Sequence, residues 1–308
     1  MNQMHRKSLF WSLAAPVLIY MGVRLAVEMV CVLVISIPYL ADVYEQLVGQ
    51  QTLTMEEMTR QYWTLMEPAM EHVFRYATEI AGVASLITIP VNAWFFTRDR
   101  KLEMACGVEP AKKAPVKKYW TVLVFGLAVS IAATCFFAMA ELAFYSGQSQ
   151  SASQITYMPS FPVQIAVLGV IVPIAEELMF RGVLFRRFME NRGFWYSALW
   201  SSLFFVLMHQ DGAQMAYALL LGIFLCYVYE KFGSLKAPVL LHVAANCSSL
   251  LYTELGVFRW IGGAPVRMAG AVIAGAFVCS AMYVLIQRTG GAVKKEKEPG
   301  TGDKTNMF

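Results

Sequence analysis

The sequence predicts an all-α, polytopic membrane bundle of about eight helical spans, and three observations predict it. Hydrophobic residues make up 57% of the chain and charged ones only 15%, against about half and about a quarter in soluble domains. The mean hydropathy is positive, at +0.51. Several apolar runs reach the ~20 residues that cross a bilayer core as a helix. The net charge of +4 does not point to nucleic acid, because the basic residues gather in short loops, as membrane topology requires.

The expected spans are 9–40, 74–97, 119–145, 161–185, 195–209, 213–230, 237–253 and 267–287. The first follows basic residues, as a signal peptide would. Its apolar run continues to about Tyr39, far beyond a signal-peptide core, so it reads as an uncleaved span. It holds Arg24 and Glu28, one helical turn apart, which read as a mutually neutralising pair. His5 and His72 fall at span edges and receive no role.

Charge sets the expected orientation. The loop 98–118 is basic, with Arg98, Arg100, Lys101, Lys112, Lys113, Lys117 and Lys118. Arg186, Arg187 and Arg192 follow the fourth span, and Lys294, Lys295 and Lys297 lie in the tail. With eight spans these segments share one side, so they and both termini are placed in the cytoplasm of a multi-pass cell-membrane protein. The loop 41–73 is acid-rich, with Asp42, Glu45, Glu56, Glu57, Glu67 and Glu71 against Arg60. The stretch 146–160 has no charge, and both fit the outer side. Three units follow: an N-terminal membrane section 1–118, a membrane core 119–290, and a disordered cytoplasmic tail 291–308. The six cysteines are scattered and form no CxxC pair, so neither a disulfide framework nor a cysteine zinc site is expected.

Ionisable side chains at membrane depth cost several kcal/mol unless paired or solvated, so each is a functional candidate. The second half of the chain holds Glu176, Glu177, Arg181, His209, His242 and Asn246. Glu177 and Arg181 are four apart with the acid first, the favourable order for a helical ion pair. Glu176 points about 100° away from Glu177, so one carboxylate can be neutralised while the other faces elsewhere. His242 and Asn246 share a helix face, as do Phe205 and His209. Three helices thus offer polar groups to one cavity.

Such a cavity suits hydrolysis. A partly desolvated glutamate becomes a usable general base towards water. A histidine can hold that water, and a second histidine with an asparagine amide can donate to a developing oxyanion. A zinc site on Glu176, His209 and His242 is the alternative, a two-histidine, one-carboxylate set; no HExxH motif accompanies it. In a different class, the same groups would only hold helices together in a non-catalytic scaffold. A transporter is the weakest reading, since no inverted repeat or interrupted helix pair stands out.

The stretches "EELMFRG", "FFVLMH" and "HVAAN", in that order, resemble the EExxxR, FxxxH and HxxxN signature of the CPBP family. These are the CAAX-protease and bacteriocin-processing membrane proteins, also called Abi. The resemblance covers roughly residues 160–255 and extends to Gly222, Tyr229, Gly233, Ser234, Leu235 and Pro238 between the motifs. It implies an intramembrane endopeptidase whose four-helix catalytic core opens to the cytosol. Motif by motif, it implies Glu176 as the base that activates water, His209 sharing that water, and His242 with Asn246 as the oxyanion hole. Glu177, Arg181 and Phe205 would support them. It implies no cofactor, with zinc the open alternative. The implied substrate is a membrane-associated peptide or protein, either prenylated or a bacteriocin precursor; a bacteriocin-immunity role without catalysis is the family's other possibility. The final "TNMF" has no cysteine at the CAAX position, so the chain is not itself such a substrate.

Two local expectations complete the sequence reading. Matching the depths of Glu176 and His209 calls for a fourth helix that runs past Arg187 to about Arg192, with its basic end protruding or lining a wet cavity. Asp211 and Gly212 are expected to form a tight turn.

Overall fold

The computed structural model describes residues 9–48, 54–144, 159–209 and 212–289. His5, Asp211, most of the stretch 146–160 and the tail 291–308 lie outside the described residues.

The described chain is helical. α1 is Leu9–Val48, α2 Met55–Arg75, α3 Ala77–Ala105 and α4 Trp120–Phe144. α5 is Phe161–Met189, a composite helix. α6 is Phe194–Val206, α7 Gly212–Phe232, α8 Lys236–Glu254, α9 Val257–Gly262 and α10 Pro265–Gln287. All eight expected spans correspond to helices. Six (α1, α3, α4, α5, α7 and α10) are long and apolar enough to cross a membrane, so the protein is multi-pass. The other two depart for physical reasons. α6 has 13 residues, about 20 Å of helix against a hydrocarbon core of about 30 Å. α8 has 19 residues, but it carries His242, Asn246, Ser248 and Ser249, which lower its hydropathy.

The acid-rich segment 41–73 is not a loop. α1 continues to Val48, and most of the remainder is α2. A capping box starts α2: the Thr54 hydroxyl accepts from the Glu57 amide, and the Glu57 carboxylate accepts from the Thr54 amide. Tyr62, Leu65, Met66 and Ala69 then form one apolar face, which packs on Tyr39, Val43 and Leu47 of α1. Acidic residues on the opposite face obscured this period in the sequence.

α4 packs along α10 and α8, while α7 packs on α6. One buried cluster joins α1, α5 and α6 through Tyr20, Met179, Phe180, Leu184 and Phe205. A second joins α4, α7 and α8 through Phe125, Leu225, Phe232 and Leu241. The basic connection before α4 is seated on the end of α7, where the Ala114 amide donates to the Phe232 carbonyl at 2.9 Å. Gly233 turns the chain there at φ 58°, and a Cβ would lie 2.6 Å from the Lys112 carbonyl oxygen. Only glycine combines that left-handed conformation with that approach.

α5 runs past Arg187, as expected, and ends at Met189, three residues short of Arg192. The arginines of its basic end do not protrude, which corrects the sequence expectation. Arg186 Nη2 pairs with Glu103 Oε1 at 2.7 Å, and Arg187 Nε with Asp99 Oδ2 at 2.6 Å. Arg187 also donates to the Ser12 carbonyl. Two acids one turn apart on α3 therefore hold two adjacent arginines of α5.

Candidate active site

α5 is widened twice. π-helical turns run over Ile165–Ile171 and Leu178–Phe185, on either side of the α-helical segment Val172–Glu177. A π turn sends each N–H to the fifth preceding carbonyl instead of the fourth, and such turns recur at functional sites. The short α segment between them carries both glutamates.

Those glutamates separate as the 100° rule expects. Glu177 is fully buried, and its Oε1 accepts from Arg181 Nη1 at 2.7 Å. Arg181 is also fully buried; its Nη2 donates to the Gly222 carbonyl at 3.2 Å, and its Cζ lies 4.6 Å from the Phe205 ring centroid. Gly222 permits this approach, because a Cβ there would sit 2.7 Å from Ser202 Oγ and 3.2 Å from Arg181 Nη2. Glu176 instead lines a cavity.

His242 bridges the two acids. Its Nδ1 lies 2.9 Å from Glu177 Oε1, and its Nε2 lies 3.8 Å from Glu176 Oε2. The Glu177 oxygen also takes the Arg181 guanidinium, so it serves as an acceptor, and His242 Nδ1 carries the proton in that bond. Phe205 stands between the imidazoles: its ring centroid is 4.9 Å from His209 and 5.7 Å from His242. α6 ends before His209, whose amide donates to the Val206 carbonyl at 2.9 Å. His209 Nδ1 lies 3.2 Å from the Phe205 carbonyl. A carbonyl only accepts, so that nitrogen donates and Nε2 keeps a lone pair.

The cavity holds about 440 Å³, and Glu176, Phe205, His209, His242 and Asn246 all line it. Leu168, Val172, Tyr217 and Leu221 supply apolar wall. Asn246 donates from Nδ2 to the Leu168 carbonyl at 3.0 Å, which leaves its second amide hydrogen uncommitted by that bond. The structure therefore brings together every residue singled out from the three motifs: five around the cavity, and Glu177 with Arg181 buried against them. Among the described residues, no group of three or more His, Cys, Asp or Glu side chains is disposed to hold a metal ion.

Sequence reasoning missed the supports. Asn92 of α3 donates to the Ala175 carbonyl at 3.0 Å, and Ser201 of α6 donates to the Phe180 carbonyl at 2.8 Å. A lone Asn or Ser in an apolar run carries no spacing signal. Asp99 and Glu103 lay in a segment read as a basic loop, although their four-residue spacing matches one helix face. Arg24 and Glu28 do pair, with Nε to Oε1 at 2.8 Å.

Comparison with known proteins supports the resemblance read from the motifs. Residues 158–248, which contain all three motifs, match the family model "Type II CAAX prenyl endopeptidase Rce1-like". The Bacillus subtilis (strain 168) protein named "Putative membrane peptidase YdiL" is 27% identical over 85 residues, which are 28% of this chain and 35% of that protein. An Escherichia coli "Uncharacterized 24.3 kDa protein" is 30% identical over 100 residues, 31% of this chain and 46% of the relative. The chain thus covers less than half the length of either curated relative. No solved structure matches.

Proposed function

We propose that this multi-pass membrane protein is an endopeptidase that hydrolyses a peptide bond within the bilayer, using water activated by Glu176. One observation carries the reading: Glu176, His209, His242 and Asn246 line a single cavity of about 440 Å³. The match of residues 158–248 to a CAAX prenyl endopeptidase model supports the reaction class.

In this reading Glu176 takes a proton from water as the water attacks the scissile carbonyl. His209 accepts the water's other hydrogen at Nε2, since Nδ1 faces the Phe205 carbonyl. Asn246 gives its second amide hydrogen to the oxyanion. His242 Nδ1–H is committed to Glu177, so Nε2 donates to the oxyanion only when the ring is doubly protonated. Glu177 is then the counter-charge to that ring, since Glu176 holds the proton taken from water at this stage. Glu176 returns its proton to the departing amine, and the tetrahedral intermediate collapses to an acid and an amine. No step runs through a metal. The largely apolar wall suits an uncharged segment of a membrane-associated peptide or protein, prenylated chains and bacteriocin precursors among them.

The test is cleavage of such a peptide by the purified protein, set against Glu176→Gln and His209→Ala. A loss of about 10²- to 10⁴-fold in kcat is expected for the glutamate variant, the usual size of a general-base contribution. Unchanged cleavage in both variants would remove the assignment.

A non-catalytic scaffold or immunity protein is a second reading, favoured by the interhelical bonds from His242 to Glu177 and from Asn246 to Leu168. Full biological function of a Glu176→Ala protein would select it.

A further inference from the structure

The two π segments of α5 have a side-chain counterpart on each neighbouring helix. Asn246 of α8 donates to Leu168 O at 3.0 Å, Asn92 of α3 to Ala175 O at 3.0 Å, and Ser201 of α6 to Phe180 O at 2.8 Å. Leu168 lies in the first π segment and Phe180 in the second. Ala175 lies in the α-helical segment between them, just before the second junction.

The Ala175 carbonyl belongs to the peptide bond that leads into Glu176. It receives a short-range bond from the Leu178 amide, which also bonds Ile174 O. The Asn92 amide is a further donor to the Ala175 oxygen, and it comes from a different helix.

Asn92 is fully buried, and it does not line the cavity. Among the described residues its Oδ1 has no hydrogen-bond partner. A buried polar atom left unpaired costs free energy that an apolar side chain of the same size would not. Packing alone therefore does not account for an asparagine there; the directed bond to Ala175 O does.

We propose that Asn92 is a positioning residue for Glu176. Its bond ties the peptide that leads into Glu176 to α3, and so fixes the rotation of α5 at which Glu176 faces the cavity while Glu177 faces Arg181 and His242. Without it, that peptide is free to turn, and both carboxylates shift against their partners. The proposal rests on the reading of Glu176 as the base.

The test uses the full chain, purified in detergent, with two readouts. The first is the split between kcat and KM for Asn92→Leu. A misplacement of about 1 Å costs on the order of 100-fold in rate, so kcat is expected to fall by about 10- to 100-fold with KM little changed. The second needs no activity. In a Glu176→Cys protein, the thiol introduced at that position is alkylated with a small reagent, and its rate is read by peptide mass spectrometry. That rate is expected to change severalfold when Asn92→Leu is added. Where Asn92→Leu does not purify as a monodisperse protein, Asn92→Ser, which is too short to keep the bond, serves in both experiments.

A folded Asn92 variant with wild-type kcat and an unchanged alkylation rate at position 176 would overturn the proposal. Undiminished cleavage by Glu176→Gln would instead overturn the assignment of the base, and the alkylation result would still decide whether Asn92 positions residue 176.

Discussion

His242 and Glu177 are joined ring to carboxylate: Nδ1 lies 2.9 Å from Oε1, and the same oxygen takes Arg181 at 2.7 Å. One fully buried carboxylate oxygen therefore holds two helices, α5 and α8, and the guanidinium that reaches a third through the Gly222 carbonyl of α7. The acid beside it in sequence, Glu176, meets this node only at His242 Nε2, 3.8 Å from its Oε2, and is turned to the cavity.

Removing Glu177 strands a fully buried guanidinium. Breaking a buried pair from one side costs about 3–5 kcal/mol, so Glu177→Ala is expected to lose about that much stability to unfolding in detergent. Arg181→Met leaves the buried Glu177 carboxylate with only the His242 ring as partner and is expected to lose a similar amount. The double variant strands neither, and it should retain at least about 1 kcal/mol more than the sum of the single losses predicts. Strict additivity in the double-mutant cycle would show that the two side chains do not act as a pair.

Much of this node was legible in the sequence, because it rests on helical spacing. Glu177 with Arg181 and His242 with Asn246 are both separated by four residues, and four residues on a helix share a face. The contact between His242 and Glu177 was not legible, since 65 residues separate them and no periodicity reports which helices meet. Asn92 and Ser201 were hidden for the same reason. The π turns were hidden for another: their apolar residues fit an ordinary helix as well. α2 was obscured by composition, because its acidic face outweighed a four-residue apolar stripe in the count of charges.

Gly222 is expected to resist the smallest enlargement. A Cβ would lie 2.7 Å from Ser202 Oγ and 3.2 Å from Arg181 Nη2, in the wall that holds the guanidinium. Overpacking a tight interior costs about 1–3 kcal/mol, so Gly222→Ala should lower the unfolding midpoint. The obstruction is the Ser202 side chain, so Gly222→Ala with Ser202→Gly should recover most of the loss. If Gly222→Ala alone leaves the midpoint unchanged, the close packing of α7 on α6 at this point is not a constraint.

The ion pairs at the basic end of α5 should differ sharply from those in solvent. Asp99 and Arg187 are 14% and 13% exposed, whereas Glu71 and Arg75 are 68% and 55% exposed. Exposed pairs contribute about 0–1 kcal/mol and are screened by salt. Glu71→Ala is therefore expected to change stability by less than about 1 kcal/mol. Asp99→Ala removes the carboxylate partner of a largely buried arginine, and about 2–4 kcal/mol is expected, little affected by added salt. Comparable effects for the two substitutions, measured at low and high salt, would mean that α3 does not hold the end of α5 through these charges.

His242 can be tested for what it donates, because glutamine and leucine separate its two functions. Leucine keeps bulk and removes both ring nitrogens, so Glu177 loses a partner and, under the proposed mechanism, the oxyanion loses a donor. The amide nitrogen of glutamine reaches about as far along the side chain as Nε2 and donates at any pH, but glutamine does not reproduce the Nδ1 bond to Glu177. If His242 works as an oxyanion donor, His242→Leu should lose about 10²- to 10³-fold in kcat, the usual loss for removing one such donor. His242→Gln should then keep a measurable part of that factor. Its stability should nonetheless fall alongside that of His242→Leu, since both lose the bond to Glu177 at 2.9 Å. Equal kcat in the two variants would remove the donor role and leave His242 as the partner that keeps Glu177 in place. A stable His242→Gln protein that is as inactive as Glu176→Gln would instead assign His242 to proton transfer, which an amide cannot perform.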